Sequence, residues 1–195
     1  PDGQAIVRAT APGTLDFNAG TYNFGADATL QGTGTVLVSG ATVNLPDSAY
    51  LGSGSTSVTG GTLAAAGNLA TLKKSLSVTV PPNALTVSGA GALNVTGDLA
   101  GVLAGSTLGM DGTLLNLAGG GAAVTGSLLN VASGGASVAN SALPIVSVSA
   151  GTHSLATGSV AAMFNLAGSA TALDADSGLI LGTDRPLAGL GTCPS

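Results

Sequence analysis

Few residues of this chain are of types that do chemistry: nine aspartates, two lysines, two arginines, one histidine and one cysteine, with no glutamate and no tryptophan. The closest acidic pair is Asp174 and Asp176, in Leu173-Asp174-Ala175-Asp176-Ser177-Gly178. Alternate residues of a strand share a face, so the two carboxylates can meet one cation or act as a glycosidase pair. An oxygen cage for Ca2+ wants more ligands, and no Gly-Gly-x-Gly-x-Asp run occurs. The other acids are Asp2, Asp16, Asp27, Asp47, Asp98, Asp111 and Asp184. Most stand singly where turns are expected, and aspartate favours turns by accepting local backbone hydrogen bonds. His153 has no cysteine or second histidine near it in sequence, which makes a poor metal site, and it reads as a strand residue. Cys193 alone cannot close an internal disulfide. It cross-links chains, pairs with a further segment, or is idle. The sequence therefore assigns no catalytic, cofactor-binding or metal residue and reads as a non-enzyme.

The formal charge of −5 and the four basic residues Arg8, Lys73, Lys74 and Arg185 argue against nucleic acid, because phosphate binding needs clustered cations. Lys73-Lys74 reads as a solvated corner that blunts a sheet edge. No apolar run reaches the roughly 18 residues of a membrane-spanning helix. The opening Pro1-Asp2-Gly3, without an initiator methionine, reads as a processed or excised chain.

The elements that must position these residues follow from composition. Apolar residues make up 45% of the 195, charged residues 7%, and glycine occurs 32 times. Charge is too scarce and hydrophobicity too high for disorder. Glycine costs a helix about 1 kcal/mol per position relative to alanine, and it interrupts every candidate helical stripe. Short strands between Gly-rich turns are expected instead.

A repeat fixes their arrangement. Phe17-Asn18-Ala19-Gly20-Thr21-Tyr22-Asn23-Phe24 aligns without gaps with Val38-Ser39-Gly40-Ala41-Thr42-Val43-Asn44-Leu45 and with Val58-Thr59-Gly60-Gly61-Thr62-Leu63-Ala64-Ala65. A fourth copy, Val87 to Val95, carries one extra residue. Within that spacing, apolar anchors fall every six to eight residues: Phe17, Phe24, Leu30, Val38, Leu45, Leu51, Val58 and Ala65. Many have an apolar partner two residues earlier, as Val36 precedes Val38, which marks a strand face. Three such units make a coil of about 20 residues, the geometry of a three-sided parallel β-solenoid. Further on, Thr113–Gly126 is followed by Ser127–Asn140, a 14-residue repeat with eight identical positions. It fits a two-sided coil or two sides of a three-sided one, and three sides throughout is the reading adopted. Asn23, Asn44 and Asn94, then Asn116, Asn130 and Asn165, are candidates for stacked amide ladders. Phe17, Tyr22 and Phe24 occupy anchor positions and are expected to fill the core. Thr21, Thr42 and Thr62 recur once per coil, but only fragments such as Ser55-Thr56-Ser57 approach the regular Thr-x-Thr rows of ice-binding solenoids.

The expected organisation is a leading strand, cap or linker over 1–14, a solenoid over 15–181, and a cap or tail over 182–195. The stretch 66–84, with both lysines and Pro81-Pro82, reads as a bulged corner or loop, since proline cannot join a central ladder.

The segments 17–24, 38–45, 58–65, 113–126 and 127–140 resemble the β-helical repeats of filamentous-haemagglutinin-like bacterial surface proteins and the passenger segments of autotransporters. The resemblance covers roughly 15–181 and implies a secreted, surface-located adhesin or scaffold. It carries over no functional residue, and no secretion-domain motif accompanies it. The expected partners are further copies stacked end to end, neighbouring coils of a longer adhesin, or a surface glycan. A polysaccharide-binding or polysaccharide-degrading β-helix is the alternative.

Overall fold

The structure is a computed structural model. It describes residues 5–52, 54–72, 77–81, 83–132, 136–140, 144–159, 161, 163–167, 172–175 and 180–182. The described residues are all-β, and every strand pairing among them is parallel. The first nine strands are short: β1 (Ile6–Ala9), β2 (Thr14–Phe17), β3 (Thr21–Asn23), β4 (Thr29–Gly32), β5 (Thr35–Val38), β6 (Thr42–Leu45), β7 (Tyr50–Gly52), β8 (Thr56–Val58) and β9 (Thr62–Ala65). There follow β10 (Ala70–Leu72), β11 (Ser77–Val80), the long β12 (Leu85–Val95), β13 (Ala100–Leu103), β14 (Thr107–Met110) and the long β15 (Leu115–Val124). The last are β16 (Leu129–Ala132), β17 (Ser137–Asn140), the long β18 (Val146–Leu155), β19 (Phe164–Ala167), β20 (Ala172–Ala175) and β21 (Ile180–Gly182).

Most strands pair with the strand three further along the chain, and the pairings form four sheets. One is β1-β4-β7, a second β10-β13-β16-β19, and a third β11-β14-β17-β20. The fourth runs β2-β5-β8-β12-β15-β18-β21 and is joined by β3-β6-β9, because β12 pairs along its first part with β8 and along its second with β9. Backbone bonds also link the first sheet to the second. Tyr50 N–H donates to the Leu69 carbonyl at 3.1 Å, just as Leu30 N–H donates to Ala49 and Ala70 N–H to Leu99.

The period-two anchors predict the inward face correctly for most strands. Phe17, Val38, Val58, Val87 and Leu117 stand in one register column. All five are buried. Side chains in such a column stack on one another, so each level completes the core of the next. One anchor differs. Leu30 pairs with Tyr50, while the expected Leu51 pairs with Gln31. The corner before β7, with Ser48 at φ 55° and Ala49 buried, sets that parity. Tyr50 thus turns its ring to the core, with its hydroxyl bonded to that of Thr56.

The expected spacing of about 20 residues between paired strands occurs only at the start, where Thr14 pairs with Thr35 and Val36 with Thr56. From Thr56 onward the chain travels half as far again before it returns: Thr56 pairs with Leu85, Leu85 with Leu115, and Ala100 with Leu129. The physical reason lies in 66–84. That stretch holds β10 and β11, and β11 founds the third sheet, a face with no counterpart in the earlier levels among the described residues. The repeat unit of Thr113–Gly126 is accordingly about half of a wide level. Leu115 and Leu129 occupy equivalent repeat positions yet pair with Leu85 and Ala100 in different sheets.

Candidate functional site

The most organised polar feature is a set of corners leading into β7, β10, β13 and β16. Three of the four share a local sequence: Gly67-Asn68-Leu69, Gly97-Asp98-Leu99 and Gly126-Ser127-Leu128. The leucine of each is buried. In the first two the residue before it, Asn68 or Asp98, binds the next level through its side chain, while Ser127 in the third is buried. Asn68 N–H donates to Asp47 Oδ1 at 2.7 Å, Asp98 N–H to Asn68 Oδ1 at 2.8 Å, and Ser127 N–H to Asp98 Oδ1 at 2.7 Å. At each step a side-chain oxygen of one level accepts the same backbone N–H of the following level. The glycines make room for this. A Cβ on Gly67 would overlap the Asp47 carboxylate, and one on Gly97 would overlap the Asn68 side-chain oxygen.

The second oxygen of Asp98 accepts from Asn130 Nδ2 at 2.7 Å, and Asn130 Oδ1 accepts from Asn165 Nδ2 at 3.1 Å. Asn68 Nδ2 reaches Thr71 Oγ1 at 3.5 Å, and the Ser48 and Thr71 hydroxyls are 2.8 Å apart. Both oxygens of Asp98 are thus bonded to the following level, an arrangement that ties levels together. Because a carboxylate accepts stronger hydrogen bonds than a neutral group, Asp98→Ala is expected to cost about 1–3 kcal/mol by stranding two donors. Asp98→Asn is expected to cost less, since Asn68 performs the same backbone bond one level earlier. Chemical denaturation of the two variants measures the difference. Equal losses would mean that the bond to Ser127 contributes nothing.

The other sequence candidates fall apart in space or serve packing. Asp16 accepts from Ser39 Oγ at 2.7 Å, again one level on. Arg8 Nη2 donates weakly to Gln31 Oε1 at 3.4 Å. The amide ladder exists in two pieces. Asn44 Nδ2 donates to Asn23 Oδ1 at 2.7 Å, but Ala64 follows in that column and separates them from Asn94. Asn130 and Asn165 make the second piece, while Asn116 lies elsewhere, between Thr86 and Ser147. Thr21, Thr42 and Thr62 do align across three levels, and Ala92 ends the row.

Phe17 is buried and meets Tyr22 edge-on at 4.9 Å between centroids. Tyr22 departs from the expected core position: it is 42% exposed although its column partner Val43 is 0% exposed, because no earlier strand among the described residues pairs with β3. His153 is buried, with Nε2 2.7 Å from the Ala150 carbonyl and Nδ1 without a partner. Burial pushes the Tyr50 phenol above its ordinary range, and the Thr56 hydrogen bond offsets part of that rise. Among the described residues no group of three metal-ligating side chains occurs, and no helix is long and apolar enough to cross a membrane. The backbone of Asp174 lies in β20. Asp176, Lys73, Lys74, Arg185 and Cys193 lie outside the described residues.

Residue type alone marks Asp47 and Asp98 as isolated turn formers and gives Asn68 no role. The signal for the corner ladder is the recurring Gly-(Asn/Asp/Ser)-Leu, one in each of three successive levels. The chain matches no family model, no curated protein and no solved structure.

Proposed function

We propose that the chain is a parallel β-solenoid that works as a non-catalytic structural rod segment, of the kind found in secreted surface adhesins. One observation carries the reading: the polar side chains of the corners bind the neighbouring level of the same chain. Asp47, Asn68 and Asp98 at the corners each bond to a residue of the next level, and Asp16 of β2 does the same. A catalytic or binding surface would instead converge such groups on a ligand. The surface location rests on the resemblance of the repeat segments.

The differing widths of the first and last described levels favour a segment over a subunit of a uniform filament. Among the described residues, inward columns are covered in the middle and more exposed in the first and last levels. Tyr22 is 42% exposed and Leu166 46%, whereas Val43 and Val131 are 0% exposed. A second copy stacked there would need levels of matching width. Yet their widths differ: the path from Leu129 to its partner Phe164 is about half as long again as that from Val7 to Leu30. A head-to-tail copy would place the face of β20 over a level that has no such face. Open heterologous contacts make fibres only when the two surfaces are complementary.

Sedimentation over a dilution series, with electron microscopy of the same samples, tests this. Discrete particles at every concentration are expected. The levels stack from β1 to β19 at about 4.8 Å per strand, which gives roughly 30 Å of height. Long filaments that survive dilution would replace the rod segment with a self-assembling subunit.

A further inference from the structure

The core is not filled where the narrow levels meet the wide ones. A cavity of about 130 Å³ lies there. Its walls come from both sides of the junction: Leu63 from the last narrow level, Leu69, Leu85 and Val78 from the first wide one, and Leu99 from the next. The cause is topological. The β11 face starts at this junction, and β11 pairs only with β14 among the described residues. Its residues Val78 and Val80 share the cavity wall with Gly54 and with Thr56 at the start of β8, a strand of the fourth sheet, so no strand of the β11 sheet lies beneath them among the described residues. The residues nearest the widening are also small, with Ala70, Ala84 and Ala100 in the wall.

The lining decides what enters. Its side chains are aliphatic apart from Tyr50 and Thr56, whose hydroxyls bond to each other. A water needs two to four polar partners, and an apolar cavity of about 150 Å³ stays dry and takes benzene or xenon. Tyr50, Ala70 and Val78 are the half-buried members of the wall.

The geometry points to a binding site for one small apolar molecule, benzene-sized or smaller, at the junction of the narrow and wide levels. Recognition is by shape and exclusion of water, with no hydrogen bond required from the ligand. This site is independent of the structural role proposed above.

Benzene is the probe. In a methyl-resolved NMR spectrum of the full chain, saturating benzene is expected to shift the resonances of Leu63, Leu69, Leu85 and Leu99 and to leave those of Leu115 and Leu117 in place. The thermal midpoint is expected to rise in the same buffer. Naphthalene, too large for the space, is expected to do neither. Ala84→Leu fills the cavity and is expected to abolish the benzene shifts while the chain stays folded. If that variant does not fold, Ala84→Val provides the smaller filling, with the shifts reduced. Absence of benzene shifts in the unaltered chain would overturn the proposal. So would benzene shifts that persist undiminished in a folded filled variant, or equal shifts with naphthalene.

Discussion

Leu93→Ala is expected to lower the unfolding free energy by about 2–5 kcal/mol, the range for a buried leucine truncated in a packed core. Leu93 is 0% exposed and sits in β12, between Leu63 of one level and Ala122 of the next. Neither neighbour can move inward to fill the space, because each is held in register by its own ladder bonds. The deleted methyl groups therefore leave a void rather than a collapsed wall. Whole domains are stable by only about 5–15 kcal/mol, so the loss is a large share of the total. Because each level leans on its neighbours, the damage is expected to spread to the levels on either side. Denaturant titration measures it as a lower midpoint, and a reduced slope would report levels melting separately. A loss below about 1 kcal/mol would contradict a closed column around Leu93.

Gly120→Val is the second large effect. Gly120 has φ 66°, a conformation in which an L-residue loses about 1–2 kcal/mol. Its position is also crowded: a Cβ there would overlap the Gly91 carbonyl oxygen. On the other side, a Cβ on Gly151 would meet the Gly120 carbonyl at 2.5 Å, so three glycine corners are stacked at close approach. Valine adds overpacking of about 1–3 kcal/mol to the dihedral strain. The variant is expected to lose roughly 3 kcal/mol or more, or to fail to fold. Gly20→Ala is the control. Gly20 has φ 83° but no atom within 4 Å of where a Cβ would stand, so it carries the dihedral strain without the overlap. Thermal denaturation compares the two variants. Similar losses would show that close approach of the corners contributes little.

These two sites also mark how far residue order reaches. The inward alternation is local: Val36 and Val38 declare a strand face by spacing alone, and the structure buries both. The recurrence of Phe17, Val38 and Val58 likewise announces which residues stack, because equal spacing brings like residues into register. Glycine at the corners was legible for the same reason. Thus the all-β, parallel character and the spacing of the first levels followed from residue order.

What the tertiary structure decided concerns partners far apart in the chain. The repeat at Thr113–Gly126 and Ser127–Asn140 is clear in sequence, but its copies do not pair with each other. Each pairs with a strand one whole wide level away, since half a level separates the copies. Nothing in so short a repeat states whether one copy or two complete a level. The new face at β11 likewise depends on a second strand, β14, lying over it at the right height. The same holds for Asp98: its type and corner position were evident, but its acceptor role towards Ser127 and Asn130 exists only once the levels are stacked. Periodicity reports the face a side chain takes, which is a property of the local backbone. The width of each level, the cavity at the junction and the corner ladder arise from closure over a full turn of the chain, which only the packed structure determines.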